Sequence, residues 1–216
     1  MDESHVSPPP PEPAAQPAPQ GDESDARLVA VGTRPAIRFE RVLDAGPREL
    51  WRALTEPEGL RGWFPCSVTA QRWEVGGALT FAFPGRAEFT TEGVVLECEP
   101  PRTLAYLWGE ETLRFELTPL GLDAACGTRT RLVVLDELFA PVAARNAAGW
   151  HVCLDRLARR APPQNEQGGA DETWQRLFAR YRAAFEPVLG PQDGPPADRG
   201  EDSGDAAGAG REQDRG

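Results

Sequence analysis

The sequence predicts an α+β domain, in which a curved antiparallel sheet of about seven strands surrounds one long helix, with one extra helix at the C-terminal end. Two observations predict this class. Between residues 36 and 138, short segments alternate apolar and polar residues and are separated by Gly and Pro turns, which is typical of antiparallel strands. Residues 141–161 instead show apolar residues three and four apart, which is typical of a helix with one buried face.

Seven strands are predicted, each with apolar residues alternating along one face. They span residues 36–43, 67–73, 78–83, 87–99, 103–108, 112–118 and 128–138. Two short helices, 47–57 and 58–64, follow the first strand, and Pro65 ends the second of them. Gly93 indicates a bulge or bend within its long strand, and a Gly-rich loop, 121–127, is expected before the last strand.

The long predicted helix, 141–161, starts with Pro141, which is well tolerated in a first helical turn. Its apolar stripe consists of Val142, Trp150, Cys153, Leu154, Leu157 and Ala161. Asp155 and Arg159 form a favourable pair four residues apart on the other face. His151 lies off the apolar stripe, so we expect it to be exposed to solvent.

A last helix is predicted over residues 172–185, with Asp171 as its cap and with Pro187 and Gly190 ending it. Large apolar side chains keep helical spacing along it: Trp174, Leu177, Phe178, Tyr181 and Phe185. Such a stripe would be unfavourable in water, so the helix is expected to pack on the domain.

The chain of 216 residues divides into three regions by composition. Residues 1–34 are rich in Pro and acidic residues, and residues 190–216 are rich in Gly and acidic residues. Such stretches bury too little apolar surface to offset the entropy of ordering, so both are predicted to be disordered tails. Residues 35–189 remain as a single domain of ordinary size.

Charge and cysteine usage exclude several classes of function. The net charge is −11, and no basic stripe is present for phosphates, so nucleic-acid binding is not expected. No apolar run is long enough for a membrane span, and no signal peptide is visible. The four cysteines lie far apart, which favours free thiols in a reducing cytoplasm over disulfides or a metal site. No cofactor or metal is predicted.

Four segments resemble one known family in wording and in order: VLDAGPRELWRALTEPEGLRGWF, GVVLECEPPRTLAYLW, FELTPLGLDAACGTRTRL and AAGWHVCLDRL. They are similar to bacterial proteins of the activator of Hsp90 ATPase homologue 1-like (AHSA1-like) family, within the SRPBCC, START-like, Bet v 1-like superfamily. The resemblance covers about residues 36–188. It implies a helix-grip fold with an apolar cavity between sheet and helix, and it implies that Trp150, Cys153 and Leu154 face the sheet.

The aromatic residues on strand faces and helices are the candidate ligand-binding set, together with two residues of the long helix. The set comprises Trp63, Phe64, Phe81, Phe83, Tyr106, Trp108, Phe115, Trp150, Cys153 and Leu154. A sheet that curves around a helix can leave a cavity, and such cavities bind apolar or amphipathic molecules. The alternative is that these side chains only pack the core.

Residues for catalysis are sparse, and no catalytic residue is predicted. His5 lies in the tail and His151 off the apolar stripe, and no nucleophile motif is present. Glu97 and Glu99 share a strand face and could act as an acid–base pair, although a solvated face explains them better. Cys153 has no histidine placed to activate it.

Non-catalytic binding of a small hydrophobic or amphipathic molecule is therefore the predicted function. One alternative is a protein-interaction role, either chaperone-linked (Hsp90 activator-like) or with a regulatory partner. A second is a cyclase- or hydrolase-like enzyme of the same superfamily. An open cavity with an inward polar cluster would favour the enzyme, whereas a fully packed interior would favour the interaction role.

Overall fold

Eight antiparallel strands form one curved sheet around the long helix, as seen in a computed structural model that describes residues 25–83, 86–123, 127–159 and 167–194. Strands β1 to β8 are Arg27–Val31, Arg34–Leu43, Ser67–Ala70, Ala78–Phe83, Arg86–Glu99, Thr103–Trp108, Glu111–Asp123 and Gly127–Glu137. Helices α1 to α4 are Pro47–Thr55, Pro57–Arg61, Ala143–Arg159 and Gln167–Leu189, and a 3-10 turn, Ala140–Val142, leads into α3. The strand order is β1-β2-β8-β7-β6-β5-β4-β3. The predicted α+β helix-grip class is confirmed, with one strand more than expected.

The additional strand is β1, which lies inside the stretch predicted to be a disordered tail. It pairs with β2 in register, with Leu28 opposite Ile37, and Leu28 is half-buried. An edge strand needs only backbone pairing along one side and partial burial, so five residues are enough. The domain therefore starts before residue 35, and the rest of the predicted tail, residues 1–24, lies outside the described residues.

Strands β7 and β8 form a longer hairpin than predicted. Strand β7 continues to Asp123, and the register shifts between Pro119 and Gly121, where Gly121 has a φ of 92°. A left-handed φ suits glycine, which has no Cβ to clash. The predicted Gly-rich loop thus forms strand for much of its length, and residues 124–126 lie outside the described part of the chain.

Gly93 is a point of close backbone approach and not the bulge itself. A Cβ placed on it would lie 2.1 Å from the carbonyl oxygen of Leu107 and 2.8 Å from the Phe81 ring. The β5–β6 register instead shifts between Val95 and Glu97. Glycine is therefore required at this position because the ring and the neighbouring strand occupy the space of a side chain.

Helix α3 packs between the sheet and α4, with small buried residues near its start and larger ones further along. The buried residues are Ala143, Ala144, Ala147, Ala148, Trp150, His151, Cys153, Leu154 and Leu157. The Trp150 ring packs against the aromatic side chains of the interior, with Phe64 at 5.6 Å. The predicted contact of Trp150, Cys153 and Leu154 with the interior agrees with their burial in the core cluster.

His151 is buried, contrary to the expectation that it is exposed. Only 8% of it is accessible, its Nδ1 lies 2.7 Å from the Tyr181 hydroxyl, and its ring meets Phe39 edge-on at 6.2 Å. Helix α4, which packs on α3, covers this side. The apolar stripe of α3 alone could not show this, because the second covered face depends on α4.

Helix α4 is longer than predicted at both ends. It begins at Gln167, so Asp171 lies within the helix and is not its cap, and it continues through Pro187 to Leu189. A proline in the last turn removes few helical hydrogen bonds, and Gly190 then ends the helix with a φ of 82°.

The segment after α4 is attached to the start of α3, although it was predicted as the beginning of a disordered tail. The Gln192 amide oxygen accepts a 3.0 Å hydrogen bond from the Ala144 backbone N–H. The Gln192 amide nitrogen donates to the Ala140 carbonyl at 3.0 Å, and the Asp193 backbone N–H donates to the Pro141 carbonyl at 2.7 Å. Gln192 thus satisfies a free N–H at the helix start, the task usually done by a capping residue.

Candidate functional site

The aromatic side chains predicted to bind ligand form one packed cluster between the sheet and α3. Phe81 stacks on Trp108 with ring centroids 4.8 Å apart, and Phe64 lies 5.4 Å from Trp108 and 5.6 Å from Trp150. The predicted residues of this cluster that are almost completely buried are Trp63, Phe64, Phe81, Tyr106, Phe115, Trp150, Cys153 and Leu154. Much of the interior is therefore filled by side chains.

A pocket of about 290 Å³ remains at one side of this cluster, beside the first half of α3. It is lined by Pro65, Phe83, Thr91, Trp108, Glu111, Arg145, Asn146, Gly149, Trp150 and Cys153. Four of the predicted residues line it, namely Phe83, Trp108, Trp150 and Cys153. Pockets for drug-sized ligands measure roughly 300–1,000 Å³, so this one suits a small molecule.

Polar groups converge behind and beside the Trp150 wall of the pocket. The Trp150 indole Nε1–H donates a 2.9 Å hydrogen bond to Oδ2 of Asp136. The Asn146 amide nitrogen donates to the Glu111 carboxylate at 3.0 and 3.2 Å and to Oδ2 of Asp136 at 3.3 Å. Asn146 therefore bridges two carboxyl groups, one on the pocket wall and one fully buried.

Both carboxyl groups are harder to ionise than usual. Burial, followed by the nearby charge of Glu111, raises the pKa of Asp136 from 3.8 to about 7. Burial also raises the pKa of Glu111, although the Asn146 hydrogen bond and Arg145 oppose the shift. The pair therefore retains a proton more readily than two exposed carboxylates would, and its charge is sensitive to pH near neutrality.

The sequence contained a signal for these inward carboxyl groups that the prediction missed. In β8, Asp136 continues the alternation of Leu132 and Val134, and in β7, Glu111 precedes Leu113 and Phe115 by the same two-residue step. Side chains two apart on a strand share a face. The alternation therefore indicates that both strands carry an acidic residue at a core-facing position.

Asn146 was also missed, and its place on α3 explains its role. It precedes Trp150 by four residues and Cys153 by seven, so all three lie on the same helix face. The amide is thereby held opposite the carboxyl groups of β7 and β8.

The remaining polar candidates do not join this group. Glu97 pairs with Arg114, and Glu99 is exposed at the end of β5. Burial raises the pKa of the Cys153 thiol to about 12, so the thiol stays protonated and is a poor nucleophile. Within the described ranges, no group of three or more His, Cys, Asp and Glu residues could hold a metal ion.

A second concavity lies between the α1–α2 pair and β3. It measures about 570 Å³ and includes Leu60, Phe64, Val68 and Trp73 in its wall. The Trp73 indole donates a 2.7 Å hydrogen bond to the Thr55 carbonyl, which fixes one side of the groove. Pro65 belongs to both concavities, so the segment after α2 separates them.

Comparison with known proteins gives a family match and structural neighbours. The model of the family described as "Activator of Hsp90 ATPase homolog 1-like protein" matches residues 44–162. No curated protein matches the chain. Across the described part of the chain, no helix has both the length and the apolar composition needed to cross a membrane.

Two similar solved structures show the same fold. A conserved protein of unknown function from Enterococcus faecalis is 22% identical, with a TM-score of 0.56 over 72% of this chain and 89% of that one. CalU16 from Micromonospora echinospora is 22% identical, with a TM-score of 0.51 over 75% of this chain and 95% of that one. At this identity, the similarity carries the fold and no particular ligand.

Proposed function

We propose that this chain, which belongs to the activator of Hsp90 ATPase homolog 1-like family, binds a small amphipathic molecule in the pocket beside the first half of α3. The observation that carries the proposal is the composition of the pocket wall. Phe83, Trp108 and Trp150 supply apolar surface, and Glu111 and Arg145 supply polar anchors. An apolar cavity with a few convergent polar groups is the usual form of a small-molecule site.

The size of the pocket narrows the ligand class. Because packed aromatic rings adjoin the pocket, an acyl chain or sterol longer than the pocket would have to displace these side chains. A compact aromatic molecule needs no such rearrangement.

The free thiols of Cys66, Cys98 and Cys153 support a reducing, cytoplasmic location for this activity.

A thermal-shift screen of small aromatic compounds tests the proposal. A ligand that binds only the folded state raises its stability by RT ln(1 + [L]/Kd), about 2.7 kcal/mol at a hundredfold excess over Kd. We expect at least one compound class to raise the melting temperature.

The matched variants are Thr91→Phe and Thr80→Phe. Thr91 lines the pocket, whereas Thr80 is exposed on β4. Thr91→Phe should abolish the shift and Thr80→Phe should preserve it. A shift that survives Thr91→Phe in a folded protein contradicts the proposed site, and a protein-interaction role would then account better for the filled interior.

An acid–base enzyme of the same superfamily is a second candidate function, because one observation favours it. The pocket wall carries Glu111, which is linked through Asn146 to a buried carboxyl group, Asp136. A carboxyl group that titrates near neutral pH is suited to proton transfer. Mass spectrometry of a recovered ligand separates the two functions, because binding returns the ligand unchanged and catalysis alters it.

A further inference from the structure

The pocket combines aromatic walls with a carboxylate, and this combination favours a ligand that carries a positive charge. The Trp108 and Trp150 rings have centroids 6.1 Å apart and meet at 77°, so they form two adjoining walls. Phe83 extends the wall beside Trp108, with centroids 6.2 Å apart. The faces of aromatic rings are electron-rich and attract cations.

Glu111 supplies an anchor at the same wall. It lies directly opposite Trp108 in the β6–β7 pairing, and both side chains line the pocket. Residues directly opposite each other in an antiparallel pair have Cβ atoms only about 4.5–5.5 Å apart. A group that contacts the Trp108 ring is therefore within reach of the carboxylate.

We propose that the ligand of this pocket carries a protonated amine, held by the Glu111 carboxylate and by the aromatic faces of Trp108 and Trp150. This inference rests on the proposed function, since it names the ligand class of the same pocket. The amine donates a charge-assisted hydrogen bond to Glu111, while the aromatic body of the ligand packs against the pocket walls that the two rings form. Asn146 is a positioning residue, because its amide fixes the carboxylate.

An anionic ligand would bind to Arg145, so the attraction of Arg145 for an anion must be compared with the attraction of Glu111 for a cation. Arg145 lines the pocket, but its charge acts on Glu111. An anion at Arg145 would also approach Glu111, the buried Asp136 and the ring faces, all of which repel negative charge. A cation gains from each of these groups and is opposed by the guanidinium groups of Arg145 and Arg34.

Proton release should accompany binding of the amine. The charged and titratable groups near Asp136 are Glu111 on β7, Arg34 on β2 and Tyr106 on β6, and its pKa is raised to about 7. Arg34 and, on α3, Arg145 lower the pKa of Glu111. A bound cation favours the ionised carboxylates, so the amine binds more tightly as the pH rises through this range. A neutral ligand of the same shape should show a much smaller dependence.

Isothermal titration calorimetry of the full chain with three matched probes tests the inference: naphthylmethylamine, naphthylmethanol and naphthoate. We expect the amine to bind about tenfold more tightly than the alcohol, as for a charge-assisted hydrogen bond. The preference should be larger at about pH 8 than at about pH 6. Glu111→Gln should remove the preference for the amine over the alcohol, whereas Glu110→Gln, on the exposed neighbouring residue, should retain that preference.

The possible outcomes separate this inference from the proposed function. Equal affinities for amine and alcohol, or tightest binding of naphthoate, leave the pocket as a binding site and overturn the amine assignment. A preference for the amine that survives Glu111→Gln also overturns it. If none of the three probes binds, both the pocket and the amine assignment are contradicted.

Discussion

The indole Nε1–H of Trp150 donates to Oδ2 of Asp136 over 2.9 Å, and this hydrogen bond joins α3 to β8 inside the domain. Asp136 lies opposite Ile37 of β2 and Leu113 of β7 in the sheet. The bond therefore fixes α3 to the sheet. It also fixes the position of the Trp150 ring, one wall of the pocket, relative to the Asp136 carboxyl group.

Trp150→Ala is expected to lower the free energy of unfolding by roughly 3–5 kcal/mol, as for other large core deletions. Trp150→Phe keeps most of the ring volume and removes the hydrogen bond, so it should cost less, about 1–3 kcal/mol. Denaturant unfolding followed by circular dichroism gives both values. Equal losses for the two variants would mean that the indole volume contributes little, against the packing described.

His151→Ala is expected to cost about 1–3 kcal/mol, because it leaves the buried Tyr181 hydroxyl without its 2.7 Å partner. The hydroxyl keeps one bond, which it accepts from the Ala26 backbone N–H at 3.0 Å. A double-mutant cycle with Tyr181→Phe measures the link between the two side chains. Additive effects of the two substitutions would show that the contact is energetically unimportant.

The Asp136 carboxyl group is expected to make stability fall as pH rises. Its pKa is raised from 3.8 to about 7 in the folded protein, so between these values the folded state binds the proton that the unfolded state has lost. This contribution is fully present below about pH 4 and is lost as the pH passes about 7.

Asp136→Asn tests that dependence, because asparagine does not titrate and can still accept a hydrogen bond from Trp150. Compared with the wild type, the variant should become relatively more stable as the pH rises from about 4 to about 8. Urea unfolding at several pH values measures the difference. A difference that is constant with pH would contradict the raised pKa.

Removal of residues 191–216 is expected to destabilise the domain by about 1–2 kcal/mol, whereas removal of residues 195–216 should have little effect. The reason is Gln192, which bonds the Ala144 N–H and the Ala140 carbonyl at the start of α3. Gln192→Ala in the full chain should reproduce most of the loss. Identical melting temperatures for the two truncated chains would show that the attachment is not stabilising.

Much of the fold could be predicted because its signals are local. The alternation of Leu113, Phe115 and Leu117 and the helical spacing around Trp150 depend only on neighbouring residues. The same alternation places Asp136 and Glu111 on the inward face. The prediction considered only the apolar residues of this pattern and therefore missed both carboxyl groups.

The missed features depend on contacts between distant segments. His151 is buried by α4, whose Tyr181 lies 30 residues further along the chain. Gln192 caps the start of α3 through Ala144, which lies 48 residues earlier. The division of the interior into filled cluster and open pocket depends on how the rings pack. No periodicity in the sequence encodes any of these.

We propose that the pocket at Trp108 and Trp150 binds a small aromatic molecule, and the indole N–H signals of both residues in nitrogen–proton NMR spectra report this binding. On titration with naphthylmethylamine, the Trp108 and Trp150 signals should shift, because both rings line the pocket. The Trp73 signal should stay in place, because Trp73 lines the separate groove beside α2. A shift of Trp73 alone would move the binding site to that groove, and unchanged Trp108 and Trp150 signals at saturating probe would contradict the claim.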